Sequence, residues 1–297
     1  MFKDKEAPLV SVVIPCYNHA EYVQECIKSV IEQDYENIEL IIIDDGSKDE
    51  SVSKIQELVP ECEKRFRRFE FRARSNKGLC ETLNEAIAWC EGEYYSSIAS
   101  DDIMRPYKTR EQVEHLEANS SFVGVFGAVE VLYKNGCKKE IVRKSNSYHF
   151  NDIFLHNHNL PAPTSMLRLE KVKEVNGYRG GFIIEDWIMW LDLTRSGGIL
   201  SYLGRVFVTY RRHDGNLSGQ LDEMCVGRLQ IVDLFKGYGS YKKAKAAVYL
   251  VQAVDVQTID KIKSVPFAVK SVVNNIGVVF TLRFLSYLVK MFLPRSG

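Results

Sequence analysis

The segment VSVVIPCYNHAEYVQECIKSVIEQDYENIELIIIDD, residues 10–45, reads as strand, helix and strand in succession and ends in paired acids. Ser11-Val-Val-Ile-Pro15 is a short, mostly β-branched apolar run, as in a strand buried on both faces, and Pro15 ends it. Cys16-Tyr17-Asn18-His19 is the turn that follows. Between Glu21 and Glu32 the apolar residues Tyr22, Val23, Cys26, Ile27, Val30 and Ile31 recur at helical spacing, which predicts a crossover helix. Leu40-Ile-Ile-Ile43 is a second buried strand, and Asp44-Asp45-Gly46-Ser47 sits at its carboxyl end. Open parallel sheets bind ligands at that edge, so a nucleotide-type ligand is the first expectation.

Outward from this segment the alternation continues. A helix carrying Val52, Ile55 and Leu58 is expected to close at Pro60, and residues 69–74 alternate as a strand. A helix with Leu83, Ala86, Ile87 and Cys90 on one face stops at Gly92. The next strand, 94–99, runs into Ser100-Asp101-Asp102 and is the second to end in two acids. A polar helix spans 106–119, strands follow at 123–126 and 129–133, and Asn135-Gly136 turns a hairpin into 139–142. The regular alternation is then lost. A loop with two prolines, 160–165, leads to a strand at 166–169, and Glu185-Asp186 opens an apolar helix that stops at Gly197-Gly198. Strands at 199–203 and 206–211 precede Arg212-His213. Beyond Ser218 the pattern is helical, at 221–235, 241–254 and 266–293, which places a domain boundary between 1–218 and 219–297.

Composition narrows the function. Lys+Arg and Asp+Glu both total 39 in 297 residues, which argues against a general nucleic-acid-binding surface. The seven cysteines include no Cys-x-x-Cys pair, which argues against a disulfide framework or zinc ribbon and for a reducing cytoplasm. No apolar signal core precedes the first strand. No acid follows Asp260, whereas Lys261, Lys263, Lys270, Arg283, Lys290 and Arg295 do. The last segment is too interrupted by charge to span a bilayer; it either lies on a membrane surface or packs on its own domain.

Two strand-end acid pairs in one sheet bring carboxylates together, and a hard divalent cation relieves their repulsion while holding a diphosphate. Taken singly, acidic turns after strands are ordinary turn chemistry. His213 offers either an imidazole ligand or a structural hydrogen bond. Glu185-Asp186 is either a compensated helix start or a general base. Tyr17 either stacks on a base or fills the core. There is no Gly-x-Gly-x-x-Gly, Walker-type or Gly-x-Ser-x-Gly motif.

The ordered set Val10-Ser-Val-Val-Ile-Pro-Cys-Tyr-Asn18, Asp44-Asp-Gly-Ser47, Asn76-Lys-Gly-Leu79, Ser100-Asp-Asp102, Glu185-Asp186 and Tyr210-Arg-Arg-His213 resembles the family 2 glycosyltransferases, inverting enzymes with a GT-A fold. The resemblance implies an α/β fold, a Rossmann-like mixed sheet flanked by helices, here with a C-terminal helical appendage. It implies a donor site at Pro15, Tyr17, Asp45, Asn76 and Asp101, with Tyr17 and Asp45 at the base and Asp101 at the ribose. Asp102 would hold Mn²⁺ or Mg²⁺ on the diphosphate, His213 would border it, and Asp186 would be the base. Many members carry a further acid where this chain has Ala99, which leaves the metal to Asp101, Asp102 and His213. The Gln-x-x-Arg-Trp signature of processive members is absent, so one sugar per encounter is implied. The implied donor is a UDP-sugar. The implied acceptor is a lipid-linked saccharide of O-antigen or capsule type, contacted by Thr164 and Ser165, and the enzyme would be cytoplasmic, peripheral on the inner face of the cell membrane. The alternative that Ala99 motivates is a nucleotide-sugar-binding scaffold without chemistry.

Overall fold

A computed structural model describes residues 7–213 and 220–293. Strand β1 (Val10–Cys16) leads through α1 (Val23–Ile31) into β2 (Ile38–Asp44). Every residue of β2 is buried, and α1 turns Val23, Cys26, Ile27 and Val30 onto the sheet, as the 3.6-residue period requires. After β2 come α2 (Ser51–Gln56) and α3 (Val59–Arg65). Pro60 thus opens a helix rather than closing one: in the first turn its missing N–H costs no intrahelical bond. Next are β3 (Arg68–Ala73), α4 (Leu79–Trp89) and β4 (Tyr94–Ser97). Gly92 lies beyond the end of α4, where a Cβ would come within 2.6 Å of Ser11 Oγ, so its role is close approach to β1.

The chain continues through β5 (Ile103–Met104), α5 (Lys108–Ala118), β6 (Phe122–Leu132), β7 (Lys138–Ile141), β8 (Asn146–Tyr148), α6 (Phe150–Phe154), β9 (Met166–Arg168), α7 (Leu169–Glu174), α8 (Glu185–Arg195) and β10 (Ile199–Arg211). Two expected pairs of short strands are single long ones. β6 and β10 run in parallel as partners, and register shifts around Tyr202, Val206 and Val208 absorb the irregular Gly204-Arg205 step. Helices α9 (Leu221–Asp233), α10 (Tyr241–Gln257), α11 (Lys261–Asn274) and α12 (Leu282–Phe292) complete the described chain. The last expected helix is divided: Asn275 caps a short 3₁₀ turn at Ile276–Phe280, and Thr281 caps α12 by accepting from Phe284 N–H.

The strands form one mixed ten-stranded sheet in the order β3-β2-β1-β4-β9-β6-β10-β5, with β7 on β6 and β8 on β10. β1 pairs in parallel with β2 on one side and β4 on the other. The chain therefore reverses its direction of travel across the sheet at β1 and β4. That switch point, at the carboxyl ends, is where an open sheet leaves a crevice.

The chain divides into two compact units. The first holds the sheet and comprises Met1–Phe150, Asn159–Gly180 and Met189–His213; the second comprises Asn151–His158, Gly181–Ile188 and Asp214–Gly297. The boundary expected at 218 lies outside the described residues. Among the described residues no helix is long and apolar enough to cross a membrane.

Candidate active site

The carboxyl edge is built from turns that grip one another. Asp44 accepts from the Gly46 and Ser47 N–H groups (3.1 and 2.9 Å) and from Ser47 Oγ (2.6 Å), closing an Asx turn. Asn18, at φ 54°, donates its N–H to Ser47 Oγ and accepts from Lys48 N–H at 2.7 Å. The turn after β1 is thereby locked to the turn after β2. Gly46 has φ +80°, and a Cβ there would stand 2.7 Å from Asn76 N. Only glycine permits that approach.

Asp45 is buried and faces the segment before α4. It accepts from Lys77 N–H (2.8 Å) and Gly78 N–H (2.9 Å) and pairs with Arg74. Arg74 also reaches Glu85 at 2.8 Å and Thr82 at 2.8 Å. Asp45 thus fixes the loop that carries the exposed Asn76. Pro15 is half-buried in β1, and Tyr17 is 46% exposed, which rules out core filling for its ring.

At the end of β4 the two acids diverge. Asp101 Oδ2 lies 2.8 Å from His213 Nε2, and its Oδ1 lies 4.0 Å from His19 Nδ1. One ligand atom from each of His19, Asp101 and His213 falls within 4.8 Å of the others. Two imidazole nitrogens and a carboxylate oxygen suit a divalent transition metal better than Mg²⁺, which prefers oxygen donors. Asp102 is outside this trio; it accepts from Arg211 N–H at 2.9 Å. Burial first, then the Asp101 charge, pushes the Asp102 carboxyl well above its usual range. Arg211 also donates to the Asp101 carbonyl at 3.0 Å and stands over the Tyr22 ring, which stacks on His213 at 5.3 Å. Burial lowers the His19 pKa, with Asp101 opposing, so the ring is available as a neutral ligand.

The second unit holds the other acid pair, the first two residues of α8. Asp186 Oδ1 accepts from Trp187 N–H at 2.7 Å. Trp187 is fixed by its indole donating to the Ile153 carbonyl (3.1 Å) and by the His156 ring at 4.1 Å. Burial, then the Asp186 charge, raises Glu185 to about 7; burial also raises Asp186, against Arg228. A carboxyl tuned toward neutrality is what proton transfer at neutral pH needs.

The sequence profile described as "Glycosyl transferase family 2" matches residues 11–175, more than half of the chain. The chain belongs to glycosyl transferase family 2. An uncharacterised glycosyltransferase of Haemophilus influenzae is 28% identical over 229 residues, 72% of this chain and 68% of that protein. One from Rickettsia bellii is 35% identical over 130 residues, covering 43% of this chain and 18% of its own length. The chondroitin synthase of Escherichia coli is 35% identical over 102 residues, covering 34% of this chain and 14% of that enzyme. This family 2 chain therefore matches only a small part of the length of the latter two. Among solved structures, the mannosyltransferase PcManGT from Pyrobaculum calidifontis, in complex with GDP-Man and Mn²⁺, superposes with a TM-score of 0.64 at 13% identity, covering 96% of this chain and 86% of that one. TarS of S. aureus in complex with UDP-GlcNAc gives 0.57 at 15% identity, covering 95% and 80%. The fold of this glycosyltransferase is GT-A.

Of the candidate residues in the family 2 pattern, the structure gathers Asp101 and His213 directly, and Asp45 with the Asn76 loop. Thr164 and Ser165 are corrected: both are buried, and the Thr164 hydroxyl is taken by Gly127 and Pro161. Neither offers a face to an acceptor. His19 received no role from sequence, although its position two residues after Tyr17, in the turn at a ligand-binding edge, was the available signal.

Proposed function

We propose that this family 2 glycosyltransferase moves one sugar, with inversion, from a UDP-sugar to a lipid-linked saccharide during assembly of an O-antigen- or capsule-type surface polysaccharide. The observation that carries the reading is the His19, Asp101 and His213 cluster at the sheet's switch point, with His19 in the same turn as the exposed Tyr17. The nucleotide sugars bound to TarS and PcManGT, which share the fold, support the donor class.

In this reading Tyr17 stacks on the base, with Pro15, Asp45 and the Asn76 loop around it. Asp101, His19 and His213 hold a divalent cation with Asp102 adjoining, Asp101 also lying toward the ribose. Mn²⁺ fits the donor set better than Mg²⁺. When bound, the cation neutralises charge developing on the leaving diphosphate. Asp186, or Glu185 beside it, takes the acceptor hydroxyl proton. The acceptor oxygen forms its bond to the anomeric carbon as the bond to the diphosphate breaks, and the electron pair leaves with the nucleotide. Positioned proton abstraction of this kind contributes about 10²- to 10⁴-fold.

The second unit would keep the enzyme at the inner face of the cell membrane. Its bare Val273, Phe280, Leu282 and Phe292, and the basic stretch after Asp260 that carries no acid, support this. Anionic lipids attract each nearby Lys or Arg by about 1 kcal/mol.

Incubation with UDP-sugars, Mn²⁺ and a membrane lipid extract tests the proposal. UDP release that requires the extract and is lost in Asp186→Asn is expected. Release indifferent to both would overturn it.

A further inference from the structure

An apolar groove and a smaller pocket of the second unit are lined by consecutive residues of one helix. α12 buries Phe284 and Tyr287 against Leu250, Ala253 and Ala268, but leaves Leu285, Leu288 and Phe292 exposed. Between α11 and α12 runs a groove of about 480 Å³ walled by Val265, Val269, Val272, Leu288, Met291 and Phe292. In the same unit, the start of α12 borders a smaller pocket of about 150 Å³ lined in part by Asn157, Lys243, Asn275, Thr281 and Arg283. Arg283 lines the smaller pocket, whose other walls include Leu155, Ala246 and Leu250, and the next residue, Phe284, lines the groove, so both border the first turn of α12.

The charge of the small pocket is unbalanced. The Lys243 amine has no partner among the described residues, and Arg283 spends one N–H on the His156 carbonyl at 2.9 Å. Among the described residues no carboxylate lines the pocket. The carboxylate whose charge reaches Arg283, Asp255, is itself taken by Arg228 at 3.5 Å. Two cations beside two neutral amides and a hydroxyl fit a phosphate, and 150 Å³ is too small for a whole saccharide. The groove beside it offers only hydrocarbon.

We propose that the second unit binds a single anionic amphiphile, a phospholipid-type molecule whose phosphate lies between Lys243 and Arg283 and whose aliphatic chain lies in the groove between α11 and α12. This deepens the membrane role proposed above and rests on it. Apolar contact along the groove supplies affinity, and the two cations select the head group. A purely apolar protein helix would satisfy the groove but leave the cations unpaired.

Calorimetry on the full chain tests this with decyl phosphate below its micellar concentration, decyl maltoside as the uncharged chain, and inorganic phosphate as the head alone. Decyl phosphate should bind at least tenfold more tightly than either. Lys243→Gln with Arg283→Gln should remove the preference over decyl maltoside, and the exposed Leu288→Asn should weaken both chains. Equal binding of decyl phosphate and decyl maltoside, equal binding of decyl phosphate and inorganic phosphate, or no binding of decyl phosphate would each overturn the proposal. UDP titrated into each variant reports the first unit separately, so failure here is distinct from failure of the donor reading.

Discussion

The acids of the sheet edge and the acid pair of α8 are built on opposite plans. Asp44 and Asp45 are surrounded by backbone N–H groups and, for Asp45, a guanidinium; Asp101 has an imidazole at 2.8 Å. Glu185 and Asp186 are half-buried with few donors, and both are raised. Donors favour the carboxylate, whereas burial without them favours the carboxylic acid. An edge that must hold a ligand's charge needs fixed carboxylates, and a group that must exchange a proton needs one near its titration point. On the edge, Asp102 is raised by burial and by Asp101.

The largest expected effect falls on the pair. Asp186→Asn keeps the shape and still accepts from Trp187 N–H, so steady-state kinetics should show turnover reduced about 10²-fold or more with donor affinity nearly unchanged. If Glu185→Gln abolishes turnover instead, Glu185 is the base. If Glu185 is the base, turnover should fall as pH drops through about 7, because the base must be deprotonated.

On the edge, Gly46→Ala places a methyl against Asn76 N at a positive φ, and urea denaturation should register a loss of roughly 1–3 kcal/mol. Tyr17→Ala should leave folding intact and weaken UDP with or without metal, by about 1–3 kcal/mol for a lost base stack. The smallest effect separates the two plans by pH. A raised carboxyl binds its proton more tightly folded than unfolded, so between its usual range and about 7 rising pH lowers stability. Glu185→Gln should therefore stabilise the protein at pH 8, by about 1 kcal/mol in thermal unfolding, while costing nothing at pH 4. An identical difference at both pH values would mean that Glu185 is not raised.

Much of this was legible in the chain because it is local. The buried runs of β1 and β2, the periodicity of α1 and the acids at two strand ends carry the fold class and the edge on their own. What was not legible depends on partners distant in sequence. β10 reads as two strands until its pairing with β6 supplies the bulges that keep it continuous. Thr164 reads as an open loop residue until Gly127, 37 positions away, takes its hydroxyl. His19 reads as turn filler until β10 delivers His213, and β4 delivers Asp101, beside it. Pro60 was misread for a different reason, since proline both ends helices and begins them, and only the break after Gln56 decides which.

The central claim is that His19, Asp101 and His213 form a cation site serving a nucleotide diphosphate. Calorimetric titration of UDP in Mn²⁺ and in excess chelator, with wild type and His19→Gln, tests it most directly. The account predicts that chelation weakens UDP at least tenfold in the wild type and that His19→Gln loses most of this dependence. Equal UDP affinity with and without Mn²⁺ in the wild type would contradict it.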